Sequence, residues 1–254
     1  MRTARTRGLA LASLAVAAVV AGCSDTASVS VGSETSSSPS SASPSSASPS
    51  STSTTRSAGP TAGVPDGAGT ATTVDLDGDG RPDTVWIADD AEGHRNLGVT
   101  TTSHGTVFTG FTSAAPQAAS ATAAVLASGA PVVFLDTGRS VELYVYRVEG
   151  PSLGVVRGVT GDPYSFSLGF TDYGTGLTCR PEADGLHLFG ENAVAGSGNT
   201  FTVTRTEVTV SAEHSVAQNG ARTTVGTGLS ADDPRVQAGR GTTCGDGGVA
   251  REPQ

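Results

Sequence analysis

The sequence predicts an all-β domain that follows a leader and a long disordered tether. From about Thr70 onward, short runs rich in β-branched and aromatic residues alternate with Gly, Asp and Asn, which is typical of strands joined by tight turns. Helical spacing of apolar residues is hard to find: the Ala-rich stretch from Ala114 to Ala127 contains Pro116, so we expect a loop and then a strand there. Between Ser33 and Ser57, 18 of 25 residues are Ser or Thr, too polar a composition to form a core.

The N-terminus has the features of a secretory leader. Arg2, Arg5 and Arg7 form a positive start, an apolar run extends from Leu9 to Val20, and Val20-Ala21-Gly22-Cys23 closes it. This ending resembles the lipobox of bacterial lipoproteins. The resemblance implies that residues 1–22 are a signal peptide, that Cys23 is lipidated, and that the mature chain is anchored to the extracytoplasmic face of the cell membrane. An uncleaved transmembrane anchor is the alternative, but the apolar run falls short of the roughly 20 residues that span a bilayer.

Residues 23–63 form the predicted tether. The unit Ser38-Pro39-Ser40-Ser41-Ala42 is repeated at once as Ser43-Pro44-Ser45-Ser46-Ala47 and again, imperfectly, from Ser48. A flexible coil of this length has a root-mean-square reach of about 35 Å, so it would hold the domain away from the membrane. Ser and Thr mixed with Pro are also typical of O-glycosylated stalks, and this interpretation stays open.

Net charge limits the partners of the chain. It has 15 basic residues, every one of them arginine, against 24 acidic residues, for a formal net charge of −9. Loss of the three leader arginines would make the mature chain still more acidic. We therefore expect no binding to nucleic acid, and contact with the membrane only through the lipid anchor.

The stretch from Val74 to Ile87 carries the strongest chemical signal. Its pattern consists of alternating carboxylates, a glycine and two later ligand positions: Asp75, Asp77, Asp79, Gly80, Arg81 and Asp83. Carboxylates, with the backbone carbonyl of Arg81, are the hard oxygen ligands that calcium prefers, and Gly80 stands where a sharp turn needs a positive φ. Because carboxylates this close repel one another, we expect the folded loop to require a cation. A solvated acidic turn without metal is the alternative.

The segment is similar to the calcium loops of FG-GAP and VCBS repeats, the integrin-like units of bacterial surface proteins. An EF-hand is disfavoured, because its twelfth loop position is a bidentate Glu and a helix follows, whereas Trp86 occupies that position here. Pro82 and the run from Thr84 to Ile87 predict a strand instead. The resemblance covers only this segment. It implies a β-rich extracellular repeat with structural calcium, and it does not name a ligand.

A second unit is predicted 49 residues further along the chain. Alignment of Gly80-Arg81-Pro82 with Gly129-Ala130-Pro131 places one apolar run on another. On this register the ligand positions become Ala124, Leu126, Ser128 and Val132, so the second unit would keep the turn and lose the metal. A hairpin of the same layout follows later in the chain. We expect residues 64–254 to form antiparallel hairpin repeats that resemble a partial or small β-propeller, with a β-sandwich or barrel as the alternative.

The number of cysteines fits an extracytoplasmic location. If Cys23 is lipidated, Cys179 and Cys244 remain as an even pair in an oxidising compartment, which predicts a disulfide that ties the C-terminal tail to the domain. A two-cysteine metal site is the alternative, although no histidine is near either cysteine in the sequence.

Two classes of function remain. The sequence has no Gly-x-Ser-x-Gly elbow and no His-Glu-x-x-His pair. One class is a non-catalytic surface module that binds a cell-wall glycan or a surface protein. The other is an extracytoplasmic hydrolase or transferase with a site assembled from distant residues, for which a pocket lined by His187 and at least two carboxylates would be the sign. Tyr144 and Tyr146 share one strand face, which we interpret as core rather than as a sugar-stacking surface.

Overall fold

The computed structural model describes residues 63–169, 172–245 and 247–254. Within this part almost all regular structure is β-strand, and the strands form three sheets, which confirms the all-β prediction. The predicted leader, Cys23 and the Ser/Thr-rich stretch lie outside the described residues. Among the residues described, no helix has the length and apolarity that a membrane span needs.

The first sheet is an antiparallel meander of four strands in chain order. Its strands are β1 (Gly69–Thr72), β2 (Thr84–Asp89), β3 (Arg95–Thr101) and β4 (Gly105–Gly110). Val85 and Ile87 of β2 face the second sheet, while Trp86 faces the other way and contacts Phe108, with ring centroids 5.9 Å apart. A side chain at Gly98 would overlap the Trp86 ring, so only glycine fits beneath it.

The second sheet repeats this path. Its strands are β5 (Ser120–Val125), β6 (Pro131–Asp136), β7 (Ser140–Arg147) and β8 (Ser152–Val155). Alternate residues of β6 enter two different cores: Val133 and Leu135 pack towards the first sheet, and Val132 and Phe134 towards the third. Burial on both faces explains why β6 reads as one unbroken apolar run rather than as an alternating pattern.

The third sheet has the longest strands. Six strands follow β8 before the C-terminal tail, and all except β10 belong to the third sheet: β9 (Arg157–Gly158), β10 (Ser165–Ser167), β11 (Tyr173–Glu182), β12 (Gly185–Ala195), β13 (Phe201–Ser211) and β14 (Val216–Leu229). Strands β11 to β14 form a third antiparallel meander, β9 pairs with β14 in parallel, and β10 joins the edge of the second sheet at β7.

The C-terminal tail crosses all three sheets. It contains a short helix, α1 (Pro234–Ala238), and two short strands, β15 (Thr242–Thr243) and β16 (Ala250–Arg251). Strand β15 pairs with β11 and β16 pairs with β5, while the N–H of Gly248 donates to the carbonyl of Thr72 in β1. The Glu252 carboxylate then accepts from the Arg95 guanidinium and from the N–H of Ala119. The tail thus joins sheets that are distant in sequence, which the cysteine pattern predicted only in part.

Candidate metal centre

The predicted calcium segment forms the connection between β1 and β2, residues 73–83, here called the acidic loop. Its base is closed by a hydrogen bond from the N–H of Thr73 to the carbonyl of Asp83, 2.8 Å long. Leu76 is 3% exposed and packs in the core between the first and second sheets, so it fixes the loop to the domain. Gly80 has a φ of +82°, as the sequence predicts, and a second glycine, Gly78, has a φ of +78°.

Asp75 organises the fold of the acidic loop. Its carboxylate accepts hydrogen bonds from the backbone N–H groups of Gly78 at 2.7 Å, Asp79 at 3.2 Å and Gly80 at 2.7 Å. Asp79 acts on a smaller scale, since its carboxylate accepts from the N–H of Arg81 at 2.8 Å. The acidic loop therefore folds around the negatively charged carboxylate of Asp75, and this fold brings carboxylate oxygens close together.

Three of the predicted ligands converge. Asp75, Asp77 and Asp83 each place a carboxylate oxygen within 4.8 Å of the other two. Asp79 is exposed, and its carboxylate is not part of this group of three. Arg81, whose backbone carbonyl is the predicted ligand, is also exposed. Carboxylate oxygens without cysteine or histidine nitrogen in the group suit calcium or magnesium better than zinc.

Asp83 is the least satisfied member of the group. It is 2% exposed, and its Oδ2 accepts from the N–H of Leu76 at 2.7 Å, but its Oδ1 is buried without a hydrogen-bond partner. Burial, with a smaller contribution from the charges of Asp77, Asp75 and Asp79, raises the pKa of Asp83 to about 6 against the opposing hydrogen bond from the N–H of Leu76. A buried carboxylate beside other carboxylates is costly unless a cation or a proton neutralises it.

The pKa of Asp77 is shifted in the opposite direction to that of Asp83. Its side chain is fully covered, and it accepts hydrogen bonds from the Ser103 hydroxyl and from Nδ1 of His104, 3.1 Å away. Burial opposes ionisation, but hydrogen bonds from Ser103, Thr101 and His104 overcome it and lower the pKa of Asp77 well below its ordinary value. These hydrogen bonds therefore favour the ionised form of Asp77.

Sequence reasoning missed these partners. The β3–β4 turn brings His104 and Ser103 against the acidic loop. Ser103 and His104 are 26 and 27 positions from Asp77, and no spacing rule relates them to it. Only the hairpin register, in which Thr101 pairs with Gly105, places this turn beside the acidic loop.

Tyr146 lies below the acidic loop and comes from the second sheet. It is fully buried, and its hydroxyl makes no hydrogen bond of ordinary geometry. Burial raises the pKa of Tyr146, and the charges of Asp77 and Asp83 add to the effect, which places the phenol near both carboxylates. Tyr146 and Tyr144, which is 4% exposed, are core residues, as the sequence suggests.

Two other groups of titratable side chains lie on the surface. In one, His187 contacts Glu207 through Nδ1 at 2.8 Å and Asp184 through Nε2 at 2.9 Å. These hydrogen bonds raise the pKa of His187, and they leave neither ring nitrogen available to a substrate. In the other, His94 contacts the Asp90 carboxylate at 3.0 Å in an exposed turn.

The structure also brings Cys179 and Cys244 together. Their Cα atoms are 4.6 Å apart, within the range that a disulfide requires, and the sulfurs are in bonding contact. The pair links β11 to the segment just after β15, at the point where the C-terminal tail leaves the third sheet.

Comparisons with models of protein families, with curated proteins and with solved structures find no match to this chain.

Proposed function

We propose that this chain is a cell-envelope lipoprotein that displays a calcium-stabilised, non-catalytic β-domain for surface binding or adhesion. One observation supports the calcium proposal most strongly: the buried Oδ1 of Asp83, in a group of three carboxylates, has no hydrogen-bond partner. A cation bound by Asp75, Asp77 and Asp83, with Asp79 and the Arg81 carbonyl as the further sequence-predicted ligands, would neutralise this charge.

The role of calcium here is structural. The acidic loop connects β1 to β2, and Leu76 joins it to the core, so an ion bound by the loop would stabilise the first sheet against the second. Because the three carboxylates converge only in the folded chain, binding would add to the stability of the fold. Extracellular calcium modules bind with dissociation constants of about 10⁻⁴ to 10⁻³ M, and we expect the same range.

One arrangement beside the acidic loop has the residue types of a catalytic triad. Ser103, His104 and Asp77 are mutually in contact, with the Ser103 hydroxyl 3.0 Å from Nδ1 of His104. A triad needs the carboxylate on Nδ1 and the serine on Nε2. Here both partners meet the same nitrogen, so His104 cannot pass a proton between them, and the arrangement supports a structural role.

The enzyme alternative has little else to support it. His187 does have two carboxylate partners, but it is not among the residues that line two cavities on the surface of the described residues. Those cavities support a binding role instead. One, of about 320 Å³, lies on the outer face of the first sheet beside Trp86 and Phe108, and the other, of about 200 Å³, lies on the outer face of the third sheet.

Display on the surface is proposed from the lipobox at Cys23 and from the tether of residues 23–63. Intact mass measurement on protein isolated from the envelope should give a chain that begins at Cys23 and carries acyl groups. A product that retains Met1 and has no acyl mass would contradict the anchor.

Thermal unfolding of the full chain tests the calcium proposal. Saturating calcium, at about 100 times the dissociation constant, should add about 2.7 kcal/mol of stability over chelator, and magnesium should add less. Asp83→Asn should abolish the increment and also raise the stability of the calcium-free protein, because it removes a buried and repelled charge. Asp77→Asn should abolish the increment as well.

Asp232→Asn is the matched control, since Asp232 is exposed and lies far from the acidic loop in sequence. It should keep the full calcium increment. If wild-type protein unfolds at the same temperature in calcium and in chelator, the acidic loop is a solvated turn and the proposal is wrong.

A further inference from the structure

The turn between β11 and β12 carries a group of possible metal ligands outside the acidic loop, here called the histidine site. Its members are Glu182, at the end of β11, Asp184, in the turn, and His187, in β12. Each offers one ligand atom, and the three atoms lie within 4.8 Å of one another. Both carboxylates are exposed and the His187 side chain is 18% exposed, so an ion can reach the site from solvent.

The two ring nitrogens of His187 have different partners. Nε2 contacts Oδ1 of Asp184 at 2.9 Å, and Nδ1 contacts Oε1 of Glu207, in β13, at 2.8 Å. Because Asp184 belongs to the group of three and Glu207 does not, Nε2 is the nitrogen directed at the other ligands. A histidine that binds metal almost always donates its second N–H to a carboxylate or carbonyl, which fixes the ring and its tautomer. His187 therefore has the orientation of a metal ligand.

The spacing of these atoms suits a small ion. Two ligand atoms that bind zinc at a tetrahedral angle are about 3.3 to 3.6 Å apart, because each lies about 2.0 to 2.2 Å from the metal. Nε2 of His187 and Oδ1 of Asp184 are 2.9 Å apart, so a shift of about 0.5 Å would admit zinc in place of the proton between them. Calcium needs roughly six to eight oxygen ligands, and imidazole is a ligand of transition metals instead. The donor set therefore favours zinc over calcium.

The charges around the histidine site also favour a divalent cation. Four carboxylates and two guanidiniums surround His187 on this face of the third sheet: Glu182, Asp184, Glu191, Glu207, Arg180 and Arg205. Four negative groups against two positive ones leave a formal charge of −2. Arg180 pairs with His187 in the register of β11 and β12, but its guanidinium approaches Glu191, at 3.7 Å. The excess negative charge thus lies on the carboxylates nearest His187, where a divalent ion would neutralise it.

A group in the turn between β2 and β3 has the same residue types without this arrangement. Asp90, Glu92 and His94 also place ligand atoms within 4.8 Å of one another. There Nδ1 of His94 contacts Asp90, the His94 side chain is 73% exposed, and no described residue hydrogen-bonds to its Nε2. No carboxylate therefore orients this imidazole from behind among the described residues, and His94 supplies a matched control.

We propose that the histidine site binds zinc through Nε2 of His187 and the carboxylates of Glu182 and Asp184. Glu207 is the positioning residue, because its carboxylate holds Nδ1 and so directs Nε2 at the ion. Three protein ligands leave the fourth tetrahedral position open to water. The proposal goes beyond the calcium proposal and uses no residue of the acidic loop.

Equilibrium dialysis of the full chain against radiolabelled zinc, with calcium in excess, tests this proposal. We expect one zinc ion per chain at micromolar free zinc, and neither calcium nor magnesium should displace it. His187→Gln should weaken zinc binding at least about tenfold, because it removes the nitrogen ligand. His94→Gln is the matched control and should bind zinc as the wild type does.

Asp77→Asn separates this proposal from the calcium proposal. The contact between Asp77 and His104 makes the acidic loop the other place where zinc could bind. Asp77→Asn should lose calcium binding and keep the zinc ion of the histidine site, so failure of one proposal is distinguishable from failure of the other.

Glu207→Leu tests the positioning role. Loss of the carboxylate behind a ligand histidine typically lowers metal affinity by about 10- to 100-fold, and Glu207→Gln, which still accepts from Nδ1, should recover part of this loss. A merely structural Glu207 would leave zinc affinity unchanged in both variants. Proton–nitrogen correlation spectra of the histidine side chains give a direct readout, since zinc should shift the Nε2 resonance of His187 and leave Nδ1 protonated.

The proposal is wrong if the wild type binds no zinc in the presence of calcium, or if His187→Gln binds zinc as tightly as His94→Gln. Displacement of zinc by calcium, or zinc on Nδ1 of His187 in the spectra, would also contradict it.

Discussion

The first and second sheets follow the same path of four antiparallel strands, but they make their first connection in different ways. In the second sheet β5 and β6 are joined by residues 126–130, and backbone hydrogen bonds from Leu126 to Ala130 and from Gly129 to Leu126 close the turn. In the first sheet β1 and β2 are joined by the longer acidic loop, in which the Asp75 carboxylate replaces backbone carbonyls as the acceptor.

Under our proposal, the difference shows what a cation would add to one of two sheets that otherwise follow the same path. The turn between β5 and β6 is closed by hydrogen bonds between neutral backbone groups. The acidic loop satisfies its N–H groups with carboxylates, so it collects negative charge, and Asp83 adds a buried carboxylate whose Oδ1 has no hydrogen-bond partner. One sheet is therefore stabilised by apolar packing alone, and the other by packing and, under our proposal, calcium.

The largest expected effect separates core packing from the ion. Phe134 is 1% exposed in β6 and packs between the second and third sheets. Phe134→Ala should cost about 4 kcal/mol, because it removes a large buried ring and leaves a cavity. Thermal unfolding should show the same loss in calcium and in chelator. Val125→Ala, at a partly exposed valine of β5, is the control and should cost far less. A loss of stability seen only in calcium or only in chelator would contradict the separation of core packing from calcium binding.

The disulfide gives the next effect. The two cysteines are 65 residues apart, and in the chain-entropy model a crosslink of this span contributes about 4 kcal/mol, with about 2 to 4 kcal/mol observed more commonly. Replacing Cys179 and Cys244 by alanine should lower stability by this amount and leave the calcium increment unchanged, since the crosslink lies in the third sheet. Peptide mapping without reductant should recover the linked pair from the wild type, and two free thiols would refute the crosslink.

Two glycines permit a matched test of the comparison itself. Gly80 in the acidic loop and Gly129 in the turn of the second sheet have φ values of +82° and +77°, and neither would crowd a neighbour if it carried a Cβ. Valine at either position should cost about 1 to 2 kcal/mol through backbone strain alone. Gly129→Val should cost the same with and without calcium. Gly80→Val should cost more in calcium, because it also weakens the ion site. If calcium changes the cost of both substitutions equally, the proposed difference between the acidic loop and the turn of the second sheet is wrong.

The smallest effect concerns charge outside the acidic loop. Hydrogen bonds from Glu207 and Asp184 raise the pKa of His187 above that of the unfolded chain, with Glu182 nearby adding to the rise. The imidazolium therefore contributes stability that is fully present below a pH of about 6.5 and is lost as the pH rises through the higher folded pKa. His187→Gln should flatten this part of the pH profile of unfolding and leave the response to calcium intact. A profile unchanged by the substitution would mean that the surface pairs contribute nothing.

The sequence predicts the strands better than it predicts what joins them. Alternating and continuous apolar runs place β2 and β6 correctly, and the carboxylate pattern places Asp75, Asp77 and Asp83 in one group. His104 and Tyr146 were not predicted as neighbours of the acidic loop, because one arrives through a hairpin turn and the other from a different sheet. The same holds for Arg180, Glu191 and Arg205, which come from three strands and meet on the third sheet.

Local spacing carries information about ligands within one loop, but contacts across sheets depend on register. The tail illustrates the limit, since nothing in the sequence around Glu252 indicates that its carboxylate meets Arg95. Lipidation at Cys23 lies outside the described residues and stays a prediction.

Equilibrium dialysis of the full chain against radiolabelled calcium tests the central claim most directly. We expect one calcium ion per chain with a dissociation constant of about 10⁻⁴ to 10⁻³ M, no binding above background in Asp77→Asn or Asp83→Asn, and unchanged binding in Asp232→Asn. The account is contradicted if the wild type binds no calcium in this range, or if it binds calcium equally well without the Asp77 and Asp83 carboxylates.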